Sequence, residues 1–228
     1  LRQSPQELQT FFDLLRTVEF EPRYNIAPTQ DIVAIRQEEE GLVASLMHWG
    51  LIPHWAKDRK MAARMINARA ETVAEKPSFR VPFKRHRCLI PADGFYEWKA
   101  TGGKYKQPYH ITLGEDQPFA MAGLWSAWSD PEIADAEKSK VTSCTIITTA
   151  ANDLMRELHD RMPVILPRES WGVWLDPELP EDSHCSEVLQ SLLTPYPAEN
   201  MHFRPVSRLV SNPRNETPAC LEAPEAEK

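Results

Sequence analysis

Apolar positions along the first fifteen residues recur at helical spacing. Leu8, Phe11, Phe12 and Leu15 fall on one face, which predicts an amphipathic helix. Ser4 is placed to cap it, Pro5 suits the first helical position, and Glu7 completes a capping box. The pattern then changes. Arg23-Tyr24-Asn25-Ile26-Ala27-Pro28 reads as a loop, and strands are predicted over 31–36 and 42–49, joined as a hairpin by the acidic turn Glu38-Glu39-Glu40-Gly41. Further strands are expected over 87–90 and 95–99, either side of Pro91-Ala92-Asp93-Gly94, and over 109–113, 119–124 and 141–148. A turn is expected at Thr101-Gly102-Gly103-Lys104, and the polar stretch 130–140 reads as an exposed loop. A short helix over 152–158 with Asn152 as its cap, a strand over 162–166, helices over 168–175 and 183–193, and a short strand over 203–206 complete the pattern.

Strands interspersed with short helices, without a repeat or a linker, predict an α+β fold. The expectation is a single compact domain over 1–215, built around a curved, largely antiparallel β-sheet or barrel-like core with short helices at its periphery. Residues 216–228, rich in Pro, Ala and Glu, are expected to form a disordered acidic tail.

Composition narrows the function classes. The chain has 228 residues, 42% hydrophobic and 26% charged, the balance of a soluble globular domain. No apolar run approaches the roughly 18 residues of a membrane span, and no charged-then-apolar leader opens the sequence. Cys88, Cys144, Cys185 and Cys220 lie far apart with no paired spacing, which fits a reducing cytoplasmic or nuclear setting. Twenty prolines, about twice the average usage of roughly 5%, predict many turns and few long helices. The net charge of −7 argues against generic nucleic-acid binding, but its distribution does not. Residues 57–87 carry ten Lys or Arg against three acidic side chains, inside an otherwise acidic protein. Such a stretch predicts a focused anion site, the alternative being a solvated loop and helix face.

Three segments hold polar residues that a core does not need: Ile66-Asn67-Ala68-Arg69-Ala70-Glu71-Thr72, Asp93-Gly94-Phe95-Tyr96-Glu97-Trp98 and His159-Asp160-Arg161-Met162-Pro163. Together they supply an amide, carboxylates, an imidazole and guanidinium groups, a set suited to acid–base chemistry and anion binding. Strand alternation sends Glu97 to the same face as Phe95, where desolvation would raise its pKa. His159 is either a plain cap of the preceding helix or an acid–base group tuned by Asp160. Asn67, Arg69 and Glu71 would share one face if extended, lining a polar groove. Trp49, Trp55, Phe79 and Phe83 interleave with the basic residues. Each is core by default, but aromatic platforms in a positive groove are what single-stranded nucleic acid requires. Metal binding and a Gly-rich phosphate loop are not expected, since neither a Cys-x-x-Cys pair nor a His-Glu-x-x-His sequence occurs. No cofactor is implied. Cys88 and Cys144 read as buried strand residues, and none of the four cysteines has a base close in sequence.

The ordered series Arg23-Tyr24-Asn25-Ile26-Ala27-Pro28, Trp49-Gly50-Leu51-Ile52-Pro53 with Trp55, Asn67-Ala68-Arg69-Ala70-Glu71-Thr72, 87–98, His159-Asp160-Arg161-Met162-Pro163, and Val206-Ser207 with Asn212 and Asn215 resembles the SRAP family, the abasic-site processing proteins. The resemblance implies a protein that recognises abasic sites in single-stranded DNA and joins to them covalently in the DNA damage response. It implies a terminal Cys in a Met-Cys-Gly-Arg start, whose amine and thiol close a thiazolidine ring on the abasic aldehyde. That start does not occur in this sequence, which opens Leu1-Arg2-Gln3, so about six residues are expected upstream of Leu1. By the same resemblance Asn67, Glu97 and His159 are the catalytic positions. Arg69, Arg161, Trp55, Trp49, Arg23 and Asn25 are the DNA-binding ones. The implied partner is single-stranded DNA containing abasic sites, with no membrane or metal and a monomeric, cytoplasmic protein (nuclear if eukaryotic). Two other functions remain open: a cysteine peptidase-like autoprocessing hydrolase, and a non-catalytic single-stranded DNA-binding module.

Overall fold

A computed structural model describes residues 1–114 and 117–224. Among the described residues there are eleven strands: β1 (Asp31–Glu38), β2 (Gly41–Trp49), β3 (Asn67–Arg69), β4 (Arg87–Ala92), β5 (Phe95–Lys99), β6 (Gln107–Leu113), β7 (Phe119–Ser129), β8 (Lys140–Ala150), β9 (Arg161–Pro163), β10 (Ile165–Leu166) and β11 (Met201–Pro205). Five short helices accompany them: α1 (Pro5–Phe12), α2 (Arg80–Arg85), α3 (Ala136–Ser139), α4 (Trp171–Leu175) and α5 (Ser183–Ser191). The strands run in the order β7-β4-β1-β2-β8, and β8 pairs back onto β7, so five strands close into a barrel. Closure removes the free sheet edges that would otherwise invite strand addition. Most pairs are antiparallel; β8 is the exception, parallel to both β2 and β3. A second sheet, β11-β6-β5, carries Glu97.

Period-two alternation sorts the barrel side chains into two cores. Val33, Ile35, Leu89 and Leu124 face outward and pack under the helices, against Leu8 and Phe12 of α1, Trp171 and Trp174 of α4, and Leu189 of α5. Ile32, Ala34, Met47, Cys88, Ile90, Met121, Cys144 and Ile146 form the other cluster. Helices can cover only the outside of a closed barrel, so this second cluster fills its interior. Its small members, Ala34, Cys88 and Cys144, suit a barrel of five strands. Burial holds both thiols far above their ordinary pKa, so they are inert, as the sequence suggests.

The capping box on α1 forms as predicted. The Glu7 carboxylate accepts from the Ser4 backbone N–H at 2.8 Å, and Ser4 Oγ accepts from the Glu7 N–H at 3.2 Å. The helix stops earlier than its apolar pattern suggests. Asp13 takes a left-handed conformation (φ 55°), and Leu15 is exposed. The expected helix over 152–158 is only a 3-10 turn at Met155–Glu157, although Asn152 does cap it, accepting from the Met155 N–H at 2.8 Å. The expected strand over 162–166 divides at Val164. β9 pairs with β8 while β10 pairs with β7, because the intervening Val164 donates to Ile147 O and accepts from Ala122 N–H. Asn67 to Glu71 is not one extended strand: β3 ends at Arg69 and Glu71 sits in a 3-10 turn.

Three further expectations change. Phe79 and Phe83 are core residues rather than platforms for bases. Arg87, counted in the basic stretch, is buried and donates to the carbonyls of Trp174 (2.6 Å) and Phe83 (2.9 Å), with Lys84 and Asp176 carbonyls also accepting. It bolts α4 to the barrel and offers nothing to an outside anion. Residues 216–224 are not a loose tail. Glu216 accepts from the Tyr24 and Asn25 N–H groups and pairs with Arg23, and Cys220 is fully buried beside Val206 and Val210. The remainder of the expected tail, 225–228, lies outside the described residues. No helix among the described residues is long and apolar enough to cross a membrane.

Candidate active site

One open cavity of about 640 Å3 lies at the mouth of the barrel, between it and the second sheet. Its floor is the apolar end of the barrel interior, Ile32, Ile90, Met121 and Ile146. Its rim gathers Asn67, Arg69, Glu97, His159 and Arg161, so the three polar segments meet here although up to ninety residues separate them in sequence.

Each rim residue is positioned by a different element. Asn67 and Arg69 lie on β3, exposed, with Ala68 between them fully buried; parallel pairing to Ile146 and Thr148 of β8 fixes their register. Glu97 lies on β5. The alternation argument holds: Tyr96 and Trp98 pack with Val206, Val210 and Cys220, while Phe95 packs against the barrel interior. Burial pushes the Glu97 carboxyl above the usual carboxylate range, and the neighbouring His159 works against that rise. Gly94 allows β5 to turn in so closely. A Cβ there would lie 2.1 Å from His110 Nε2.

His159 follows the 3-10 turn. Its Nδ1 accepts from the Arg161 backbone N–H at 3.0 Å, so a neutral ring carries its proton on Nε2. Asp160 Oδ1 is also 3.0 Å from Nδ1 and would accept from that nitrogen if the ring gained a second proton. The ring therefore leaves Nε2 as the nitrogen not engaged by its own segment. Arg161 is less free than its sequence position suggests. Its guanidinium grips Glu71 with two bonds, Nη1 to Oε1 at 2.6 Å and Nη2 to Oε2 at 3.0 Å, and Nη2 also donates to Thr148 O at 2.6 Å. The Arg161 hydrogen bonds hold Glu71 below the usual carboxylate range.

The other expected binding residues divide. Trp49 lines the cavity, with Nε1 donating to Ile66 O at 2.9 Å. Trp55 is 48% exposed but does not line the cavity. Arg23 lines the wall, yet it is paired with Glu216 and donates to Gln30 Oε1 at 2.6 Å. Asn25 is buried. Its Nδ2 donates to the carbonyls of Val210 (3.1 Å), Asn212 (3.0 Å) and Asn215 (3.1 Å). It latches the cavity's 210–215 wall, and it also lines the cavity.

Asp93, present in a sequence motif but given no role there, anchors the opposite wall. Its buried carboxylate accepts from the Arg2 backbone N–H (2.9 Å) and Nε (2.6 Å), and lies 3.5 Å from the Leu1 amine. Burial alone would raise Asp93, but the amine and Arg2 outweigh it and hold it low. Burial lowers the pKa of the amine. Neither Asp93's partners nor the Glu71–Arg161 pair is legible from spacing, because both join segments about ninety residues apart. Taken together, the rim holds a carboxyl whose pKa burial raises, an imidazole whose Nδ1 accepts a backbone N–H, an amide and an outward cation above an apolar floor. That arrangement can bind a flexible anionic chain and move protons at one atom of it.

A family model described as SOS response associated peptidase (SRAP) matches residues 1–213. Abasic site processing protein YoqW of Bacillus subtilis (strain 168) is 47% identical over 205 residues, covering 90% of this chain and 88% of the relative. Abasic site processing protein HMCES of Xenopus tropicalis is 32% identical over 235 residues, covering 90% of this chain and 67% of that protein. Among solved structures, a crystal structure of a protein from Bacteroides thetaiotaomicron matches with a TM-score of 0.84 at 26% identity, covering 98% of this chain and 97% of that one.

Proposed function

The chain belongs to the SOS response associated peptidase (SRAP) family, and we propose that it binds single-stranded DNA at abasic sites and processes them in the cavity at the barrel mouth. The observation that carries this is the convergence of Asn67, Glu97 and His159 on one cavity that also presents Arg69. An abasic sugar has no base, is flanked by phosphates and opens to an aldehyde. It needs cations for the phosphates, space for a bare sugar, and proton donors and acceptors for ring opening.

Glu97 is the donor toward the sugar oxygens, because burial keeps its carboxyl protonated further up the pH scale than an exposed one. His159 works from Nε2, the atom left to it once Nδ1 is occupied by the Arg161 N–H. Asn67 orients the opened sugar by amide hydrogen bonds, Arg69 holds a flanking phosphate, and Trp49 offers a partly buried ring for stacking at the rim.

The covalent step requires an amine and a thiol on one terminal residue. The amine attacks the aldehyde carbon and water leaves, giving an imine. The thiol sulfur then adds to that carbon while its proton passes to nitrogen, closing a thiazolidine. The Leu1 amine lies on the cavity wall beside Asp93, so a residue joined to it would start at the cavity. The test is to prepare the protein with Met-Cys-Gly-Arg-Phe ahead of Leu1, allow removal of Met, and incubate it with abasic single-stranded DNA. A retarded band that survives heating in denaturant is expected, and none with the same strand bearing all its bases. Absence of the band with the abasic strand overturns the proposal.

A further inference from the structure

The Arg161 fork is fully engaged in the free protein, and its partner is the more exposed of the two. The Glu71 side chain is 51% exposed while that of Arg161 is 22% exposed. A planar guanidinium takes a carboxylate and a phosphate with the same two-bond geometry. Thr148 O and the β9–β8 pairing hold Arg161 at the cavity independently of Glu71. Its Nε is buried and makes no hydrogen bond, so the Nη1–Nη2 fork is the part of the guanidinium that a ligand could reach, and Glu71 closes it. Arg69, which lines the same cavity, adds to the positive field around that carboxylate.

We propose that Glu71 is a specificity-determining residue that stands in for a DNA phosphate. It occupies the Arg161 fork until a backbone phosphate of a bound strand displaces it. The inference rests on the single-strand binding proposed above. The Glu71 end of the pair is half exposed, so water and salt compete for that carboxylate. A polyanion that reaches Arg69 and Arg161 together gains from counterion release at each phosphate, whereas a single small anion does not. The pair therefore yields to a strand and resists isolated phosphate. Displacement also returns an unpaired carboxylate to solvent beside the strand, which reduces the net number of counterions released.

Removing the competing charge should leave the fork open. Glu71→Gln keeps the shape of an exposed side chain, and its fold is checked by thermal melting. Affinity for a fluorescein-labelled oligo(dT) strand is measured by anisotropy between 20 and 200 mM salt, about the range over which such contacts are screened. We expect E71Q to bind roughly 1.5- to 5-fold more tightly at the low-salt end, as removal of an exposed pair implies. The slope of log affinity against log salt should steepen by up to about 0.7, the value for one additional single-strand phosphate contact. Adding Arg161→Gln to E71Q should abolish both gains. A purely structural pair would give weaker or unchanged binding and an unmoved slope. Wild-type binding with E71Q no tighter overturns this proposal alone. Binding by neither protein overturns the single-strand reading and this proposal with it.

Discussion

Replacing Asn25 with Ala tests the claim that this motif residue holds the cavity wall. The Asn25 amide has two N–H bonds shared among three carbonyls, those of Val210, Asn212 and Asn215. Asn212 O retains the Asn215 N–H at 2.9 Å, and Asn215 O retains the Cys220 Sγ–H at 3.3 Å. Val210 O is the carbonyl that relies on the Asn25 amide, in a segment that is buried at Val210. Two lost hydrogen bonds at about 1 kcal/mol each, with one buried acceptor unsatisfied, give a destabilisation of about 2–3 kcal/mol. For a chain of this length that corresponds to a fall in Tm of roughly 4–12 °C. Asn25→Asp should cost more, since it removes both donors and turns a negative charge on three carbonyl oxygens. Urea unfolding followed by tryptophan fluorescence measures the loss, and limited proteolysis should show earlier cleavage in 207–222. A change below about 0.5 kcal/mol for N25A would refute the latch.

Three other outcomes follow from the same structure. Arg87→Met removes the bolt between α4 and the barrel and leaves the Trp174 and Phe83 carbonyls short of donors; a loss of about 2–4 kcal/mol is expected in chemical unfolding. Ser4→Ala removes the helix cap and one half of the capping box, costing about 1 kcal/mol in the same assay. Glu97→Gln should stabilise the protein at pH 8 and leave it unchanged at pH 4. The native carboxyl holds its proton to a higher pH than the unfolded one, so wild-type stability falls as pH rises from the ordinary value of about 4.3 through the raised native value. Equal unfolding midpoints for E97Q and wild type at pH 8 would argue that the Glu97 carboxylate is not desolvated.

Local signals were readable where the physics is local. The Ser4–Glu7 box, the β1–β2 hairpin around its acidic turn and the face shared by Phe95 and Glu97 all depend on neighbours within a few residues. Barrel closure does not. The parallel pairing of β2 with β8 that seals it, and the parallel pairing of β3 with β8 that sets Asn67 and Arg69 on the rim, join segments far apart in sequence and have no spacing signature. Charge was misleading for the same reason. Arg87, Arg85, Arg23 and Arg161 look alike in sequence, but each has a distant partner: backbone carbonyls, Glu181, Glu216 and Glu71 respectively. Arg69 lines the cavity as an exposed cation. Asn25 was assigned to DNA through the family resemblance alone, and the hydrogen bonds that make it a latch reach partners about 190 residues away.

The central claim is that Asn67, Glu97 and His159 act together on an abasic sugar in one cavity. Single-turnover kinetics of adduct formation test it most directly, using the protein with Met-Cys-Gly-Arg-Phe ahead of Leu1 and labelled abasic single-stranded DNA. The account predicts a rate lower by roughly 10²- to 10⁴-fold in E97Q, the range expected when a positioned proton donor is lost, with strand affinity unchanged. A rate in E97Q within a few-fold of wild type would contradict it.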